Sequence, residues 1–251
     1  MGEALLGGVL SSGWAEASNV AVVELDAERR AELAATYPGL AVGETVHEGV
    51  DALIAVKPQY VIDVVTALST AGATRLLSVA AGVTIPRMEA AAPGAHVVRC
   101  MPNTPALVGQ GASAIAAGSL TTDADLEWAE SILGAVGLVV RVDESDLDAV
   151  TGVSGSGPAY VFHLAEGLIA AGIAKGLSPD VADSLARQTL LGAATLLSES
   201  GEDPAILRRN VTSPGGTTAA GLAVFAEADF LGLIESVVGA AMDRSIELGA
   251  S

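Results

Sequence analysis

"NVAVVELDAERRAELAATYPG" occupies residues 19–39 and sets the pattern for the first half of the chain. Asn19–Leu25 is a short apolar run of the kind that forms a strand. Asp26–Tyr37 reads as a helix that stops at Pro38-Gly39. The alternation continues downstream. Val50–Val56 reads as a strand broken by Lys57-Pro58, Tyr60–Leu68 as a helix, and Arg75–Ala81 and Ala95–Met101 as strands. Near-continuous apolar strands with helical crossovers predict a parallel sheet covered on both faces. "GASAIAAG" and "GLVVRVD" read as two further edge strands around a helix at Asp123–Leu133. Ahead of all this, Met1–Gly13 reads as a helix, with Leu5, Leu6, Val9 and Leu10 on one stripe.

From about Glu144 the strand signals cease. A long helical stretch ends near Gly176, and a second follows with Ser178 as N-cap and Pro179 at the first helical position. Two shorter helices flank "NVTSPGGTT", and a last one runs to the carboxyl end. The fold class is therefore α/β: a Rossmann-type parallel-sheet domain over residues 1–143, followed by an all-helical domain over 144–251.

Composition narrows the function. The 251 residues are 51% hydrophobic but only 3% aromatic, so the core is built from small aliphatic side chains. A formal net charge of -18 argues against a nucleic-acid backbone or an anionic membrane as partner. The richest apolar stretch, "LAEGLIAAGIAKGL", is broken by Glu166 and Lys175, so no membrane span is expected. No charged-then-apolar leader with a cleavage site is read, and a cytoplasmic location is expected. Cys100, the single cysteine, reads as a buried small hydrophobe. His47, His96 and His163 share no metal-ligand spacing, so no metal site is assigned.

Chemistry is expected where parallel strands end, because ligands bind at their carboxyl edge. "AVKPQ", "VAAGVT" and "MPNTPA" follow three successive strands there and together suggest a nucleotide crevice. In "NVTSPGGTTAAGLAVF", Ser213-Pro214-Gly215-Gly216 cannot continue a helix, and Thr217-Thr218 can cap the next one. Free N–H groups at a helix start bind anions, which suits a small carboxylate; an ordinary capped loop is the other reading. Glycine and proline in "VSGSGPAY" point to a kink or a close helix crossing made for packing.

"LIAVKP", "VAAGVTI", "VRCMPNTPALVGQG", "LDAVTGVSGSGPAY", "GLSPDVA" and "NVTSPGGTTAAGL" together resemble the pyrroline-5-carboxylate reductase family, in order and over nearly the whole chain. The resemblance implies a dinucleotide-binding domain and a helical dimerisation domain. It implies hydride transfer from NADPH or NADH to the C=N carbon of 1-pyrroline-5-carboxylate, giving L-proline in the last step of proline biosynthesis. It implies a homodimer or a ring of dimers through the helical domain, with the active site formed between subunits. By position, Val56, Lys57, Pro58, Ala80 and Ala81 line the cofactor, with Asn103, Glu144 and Asn210 in contact with it. Ser213 and Gly215, Gly216, Thr217 and Thr218 hold the substrate carboxylate, and Thr218 hydrogen-bonds near the imine end as the most sensitive catalytic side chain.

The chain also departs from the family pattern. Phe225-Ala226 and Ala228-Asp229-Phe230 stand where a Leu–Glu pair and a Gly-Gly-Phe turn are usual. Glu24 suits a ribose diol and favours NADH, while Arg29 and Arg30 could serve a phosphate. Gly2 takes the place of the third glycine of Gly-x-Gly-x-x-Gly, which implies a strand and two glycines ahead of Met1. Without that strand, two others are expected to be unpaired along their inner edges, and nucleotide binding is expected to be poor. The alternatives are a catalytically impaired or dead form acting as a dimeric binding protein, and a related imine or β-hydroxyacid reductase.

Overall fold

The structure is a computed structural model and describes residues 1–249. By contacts the chain divides into two compact units, residues 157–238 and the remainder.

The first unit opens with α1 (Gly2–Ser11), β1 (Ala21–Val23), α2 (Ala27–Thr36), β2 (Ala41–Gly43) and β3 (Ala52–Ile54). It continues with α3 (Val61–Thr70), β4 (Arg75–Ser78), α4 (Ile85–Ala91), β5 (His96–Met101), β6 (Gly111–Ala117), α5 (Asp123–Leu133), β7 (Gly137–Arg141) and α6 (Leu147–Val150). The strand and helix expectations hold in type, with the strands shorter than read. Asp26 starts α2 as a true cap, its carboxylate accepting from the Arg29 N–H at 3.0 Å.

The sheet order is β3-β4-β5-β6-β7, and β1 pairs only with β2. No ladder joins β1 to β3 among the described residues. Two expectations are corrected. β5 and β6 run antiparallel, so the sheet is not wholly parallel, and β6 lies inside it rather than at an edge. The link between them, 102–110, is shorter than a parallel crossover needs. β2 and α4 were not read from the sequence; β2 is three residues long and carries almost no periodicity.

Period-2 alternation sends side chains to two cores. Ile54, Leu76, Val97, Ala114 and Ala116 pack under Val61, Val65 and Leu68 of α3 and Met88 of α4. Leu77, Val98, Cys100 and Ile115 face the other way, against Leu5 and Val9 of α1 and Ala129, Ile132 and Leu133 of α5. The result is the expected three-layer arrangement with the sheet central.

The helical stretch after Glu144 is interrupted, not continuous. A 3₁₀ turn (Glu144–Asp146), α6 and a π-turn (Thr151–Gly155) precede α7 (Gly157–Ala174). Pro158 explains the break. A helix would bond the Ser154 carbonyl to the N–H four residues on, and Pro158 has none.

In the second unit, α7, α8 (Pro179–Ser200), α9 (Pro204–Asn210), α10 (Thr217–Glu227) and the first half of α11 (Phe230–Gly249) form a helical layer. Ser178 stands at the α8 N-cap without a side-chain cap bond. Gly216, not Thr217 or Thr218, is the N-cap of α10. α7 crosses α8 closely: a Cβ on Gly172 would sit 3.2 Å from Ala182 Cβ. Only Ala182 and Ala186 are fully buried in this layer, while Phe162, Leu168, Leu191 and Val224 are exposed. So large an apolar surface on single helices calls for a covering partner. By length and composition alone, Glu144–Ala174 is apolar enough to cross a membrane, contrary to the sequence reading.

Candidate functional site

The carboxyl edge of the first unit carries Gly2, Val56, Lys57, Pro58, Ala80 and Ala81. Gly2 begins α1, whose first intrahelical donor is Leu5, bonded to the Met1 carbonyl at 3.1 Å. The N–H groups of Gly2, Glu3 and Ala4 are therefore outside the helical ladder, as an anion-binding helix start requires. A Cβ at residue 2 would lie 2.9 Å from Ala55 Cβ, so glycine lets the helix start press against the end of β3. Val56 follows, half-buried, then exposed Lys57 and Pro58 at the head of a 3₁₀ turn. After β4 the chain runs through buried Ala80 and exposed Ala81 to Gly82, whose φ of +75° reverses it. A Cβ on Gly82 would lie 3.5 Å from the Leu248 carbonyl oxygen, so the end of α11 packs against this loop.

Asn103 is buried, and both ends of its amide are engaged. Oδ1 accepts from the Ala112 N–H at 2.8 Å, and Nδ2 donates to the Ser154 carbonyl at 3.0 Å. Ser154 is the carbonyl that Pro158 leaves without a helical donor, so Asn103 supplies what proline removed. Packing accounts for part of "VSGSGPAY" as expected: a Cβ on Gly155 would sit 2.4 Å from Met101 Cε. The Asn103 bond is the part that the sequence reading missed.

Glu144 is likewise engaged. Its Oε1 accepts from the Ile85 N–H at 2.7 Å, at the start of α4, and from Arg99 at 2.9 Å. A carboxylate at a helix N-terminus is favourable, and the buried Arg99 side chain balances its charge. Arg99 went unassigned in the sequence, where it is a lone cation inside an apolar strand. That anomaly was the available signal.

The second unit carries the other group. Asn210 ends α9, and the chain turns through Val211–Gly216 into α10. Gly215 has φ +71°, and the Gly216 N–H closes the turn on the Ser213 carbonyl at 3.0 Å. A Cβ on Gly216 would lie 2.3 Å from Ser213 Oγ, so the hydroxyl lies directly over this glycine. Thr217 and Thr218 are exposed on the first turn of α10. The first helical bond is from Ala220 to the Gly216 carbonyl, which leaves the N–H groups of Thr217, Thr218 and Ala219 outside the ladder. The Thr217 and Thr218 hydroxyls therefore stand beside an open helix start. Among the described residues no group of three or more metal-ligating side chains exists. Burial pushes the Cys100 thiol up to about 12, so it is no nucleophile.

Residues 144–248 match the family model "Pyrroline-5-carboxylate reductase dimerisation", and residues 1–82 match "NADP oxidoreductase coenzyme F420-dependent". The chain is 49% identical to a pyrroline-5-carboxylate reductase of Synechocystis, over 78% of this chain and 74% of that one. It is 40% identical to the Mycobacterium tuberculosis reductase, over 99% and 93%. Among solved structures, that of the Coxiella burnetii reductase superimposes with a TM-score of 0.93 at 30% identity, covering 98% of this chain and 94% of that chain. The Plasmodium falciparum enzyme, with NADP bound, gives 0.84 at 27% identity, covering 99% and 94%.

Proposed function

The chain belongs to the pyrroline-5-carboxylate reductase family, and from that premise we propose how its own residues carry the reaction. The activity is NAD(P)H-dependent reduction of 1-pyrroline-5-carboxylate to L-proline. The observation that carries the residue-level reading is the turn Ser213–Thr218, which presents an open helix start and two hydroxyls to solvent.

The free N–H groups at the start of α10 and the Ser213 hydroxyl hold the substrate carboxylate. The Gly215 and Gly216 backbone lets the ligand approach without side chains in the way. With the carboxylate held, the ring carbon is aimed, and Thr218 hydrogen-bonds at the imine end. Bound nicotinamide supplies the hydride. A protonated imine is already electrophilic, so the protein's main work is orientation and exclusion of water.

Gly2, Val56, Lys57, Pro58, Ala80 and Ala81 line the cofactor; the free N–H groups at the start of α1 suit a pyrophosphate, and the small side chains of Ala80 and Ala81 suit a planar ring. Asn103 and Glu144 brace that edge, and Asn210 serves the cofactor from the end of α9. Residues 1–143 act as the dinucleotide-binding domain and 144–251 as the helical dimerisation domain. The exposed apolar faces of α7 and α8 support a homodimer, alone or in a ring of dimers. The π-turn and Pro158 interrupt Glu144–Ala174, which supports a dimer interface there over a membrane span. The acidic surface and single cysteine support a cytoplasmic enzyme without nucleic-acid partners.

The test is oxidation of NADH or NADPH driven by 1-pyrroline-5-carboxylate, with proline counted as product. One proline per nicotinamide oxidised is expected. Cofactor binding without turnover would favour the dimeric binding protein instead.

A further inference from the structure

The short ladder of β1 and β2 ends in two acids. Val23 pairs with Gly43, and the Glu24 N–H continues the ladder to the Gly43 carbonyl at 3.0 Å. Glu24 and Glu44 therefore leave adjacent parallel strands at the same level, on the carboxyl edge. In a doubly wound sheet the acid at this kind of strand end reads the adenosine ribose. Glu24 is already placed for that. Its Oε1 accepts from the Asp26 N–H at 3.0 Å, which pins the carboxylate on the turn.

An enzyme that takes the phosphorylated cofactor needs a cation free to meet the 2′-phosphate. Two arginines stand in reach of the turn, and both are committed. Arg30 donates Nη1 to the Glu24 carbonyl at 2.9 Å and to the Leu25 carbonyl at 2.8 Å, while Nη2 is paired with Glu44. Arg29 is shared between Glu32, at 2.7 Å, and Glu3 at the start of α1. A phosphate monoester carries between one and two negative charges near neutral pH. Here it would meet the carboxylates of Glu24 and Glu44 before it met an unpaired guanidinium.

We propose that this turn selects NADH over NADPH. Glu24 accepts from the ribose hydroxyls, and the ties of Arg30 to Glu44 and of Arg29 to Glu3 and Glu32 withhold both cations from a 2′-phosphate. The proposal rests on the reductase reading only for the use of reduced nicotinamide.

The test is direct binding followed by turnover. NADH and NADPH are titrated by nicotinamide fluorescence, and AMP and 2′,5′-ADP by calorimetry. NADH binds at least about tenfold more tightly than NADPH, a modest expectation for like charges brought together. Glu44→Gln frees Arg30 Nη2 and raises 2′,5′-ADP affinity several-fold without changing that of AMP. Glu24→Gln narrows the gap between the two cofactors. Equal or tighter NADPH binding, an unmoved 2′,5′-ADP affinity in Glu44→Gln, or no binding of either cofactor overturns the proposal. NADH-selective binding without imine reduction would fail the reductase reading alone, and NADPH-selective reduction would fail only this inference.

Discussion

Asn103 and Pro158 form a donor exchange that can be measured. Asn103→Ala strips the partner from the Ala112 N–H and from the Ser154 carbonyl. A buried polar group left unpaired costs about 1–3 kcal/mol, and two half-covered ones, at about half that each, sum to about 1–3 kcal/mol. Pro158→Ala restores an N–H four residues beyond Ser154. In the double variant that N–H takes over the orphaned carbonyl, and about 1 kcal/mol of the Asn103→Ala loss is recovered. The assay is denaturant unfolding of all four proteins, followed by tryptophan fluorescence. Both tryptophans, Trp14 and Trp128, lie in the first unit and report on it. Costs that add to within about 0.3–0.5 kcal/mol would refute the exchange, because independent sites add in this way.

Three further outcomes follow from particular contacts. Burial works against ionisation of Asp125, but hydrogen bonds from Thr122 and His96 outweigh it and hold the carboxyl at about 2, below its ordinary 3.8. A depressed carboxyl stabilises the fold above its unfolded pKa, so this contribution is lost as pH falls from about 4 toward about 2. Asp125→Asn should be less stable at neutral pH and show a flatter acid limb in thermal melts. Gly137 has φ +152°, and a Cβ there would lie 2.0 Å from the Gly111 carbonyl oxygen, so Gly137→Ala should cost at least about 3 kcal/mol by denaturant titration. Asp229 holds φ +48° between α10 and α11, a conformation glycine adopts without strain, and Asp229→Gly should stabilise by about 0.5–1 kcal/mol in melting curves.

Apolar runs were legible because a strand buried on both faces has no alternation to hide. β4 and β5 are such runs, and their ends are marked by the glycine and proline that a carboxyl-edge loop needs. Strand direction was not legible. β6 is as apolar as its neighbours, and hydrophobicity does not encode polarity of the chain. The clue lay in the length of 102–110, not in its composition. The Ser213–Thr218 turn was readable as a break between helices because Pro214, Gly215 and Gly216 exclude helix. Its cap was misread, since Thr217 and Thr218 continue the helix behind Gly216. Glu24, Arg29 and Arg30 could be found in the sequence, but which carboxylate holds which guanidinium depends on β2 and α1 meeting the same turn. The change of pattern at Glu144 marks where strands stop. Contacts divide the chain later, at Ser156, because Asn103 grips Ser154 and Asp148 accepts from Ser245 Oγ at 2.6 Å, tying this segment to the first unit.

In the proposed function the α10 turn aims the imine. Its most direct measurement is steady-state reduction of 1-pyrroline-5-carboxylate by wild type, Thr218→Ala and Ser11→Ala. Ser11 is exposed at the end of α1 and its hydroxyl donates to the Gly8 carbonyl, so its loss leaves the rate unchanged. Loss of a hydrogen bond made to the reacting imine costs about 1.4 kcal/mol or more, so Thr218→Ala should lower kcat/KM at least about tenfold with cofactor affinity intact. Equal rates for Thr218→Ala and Ser11→Ala would contradict it.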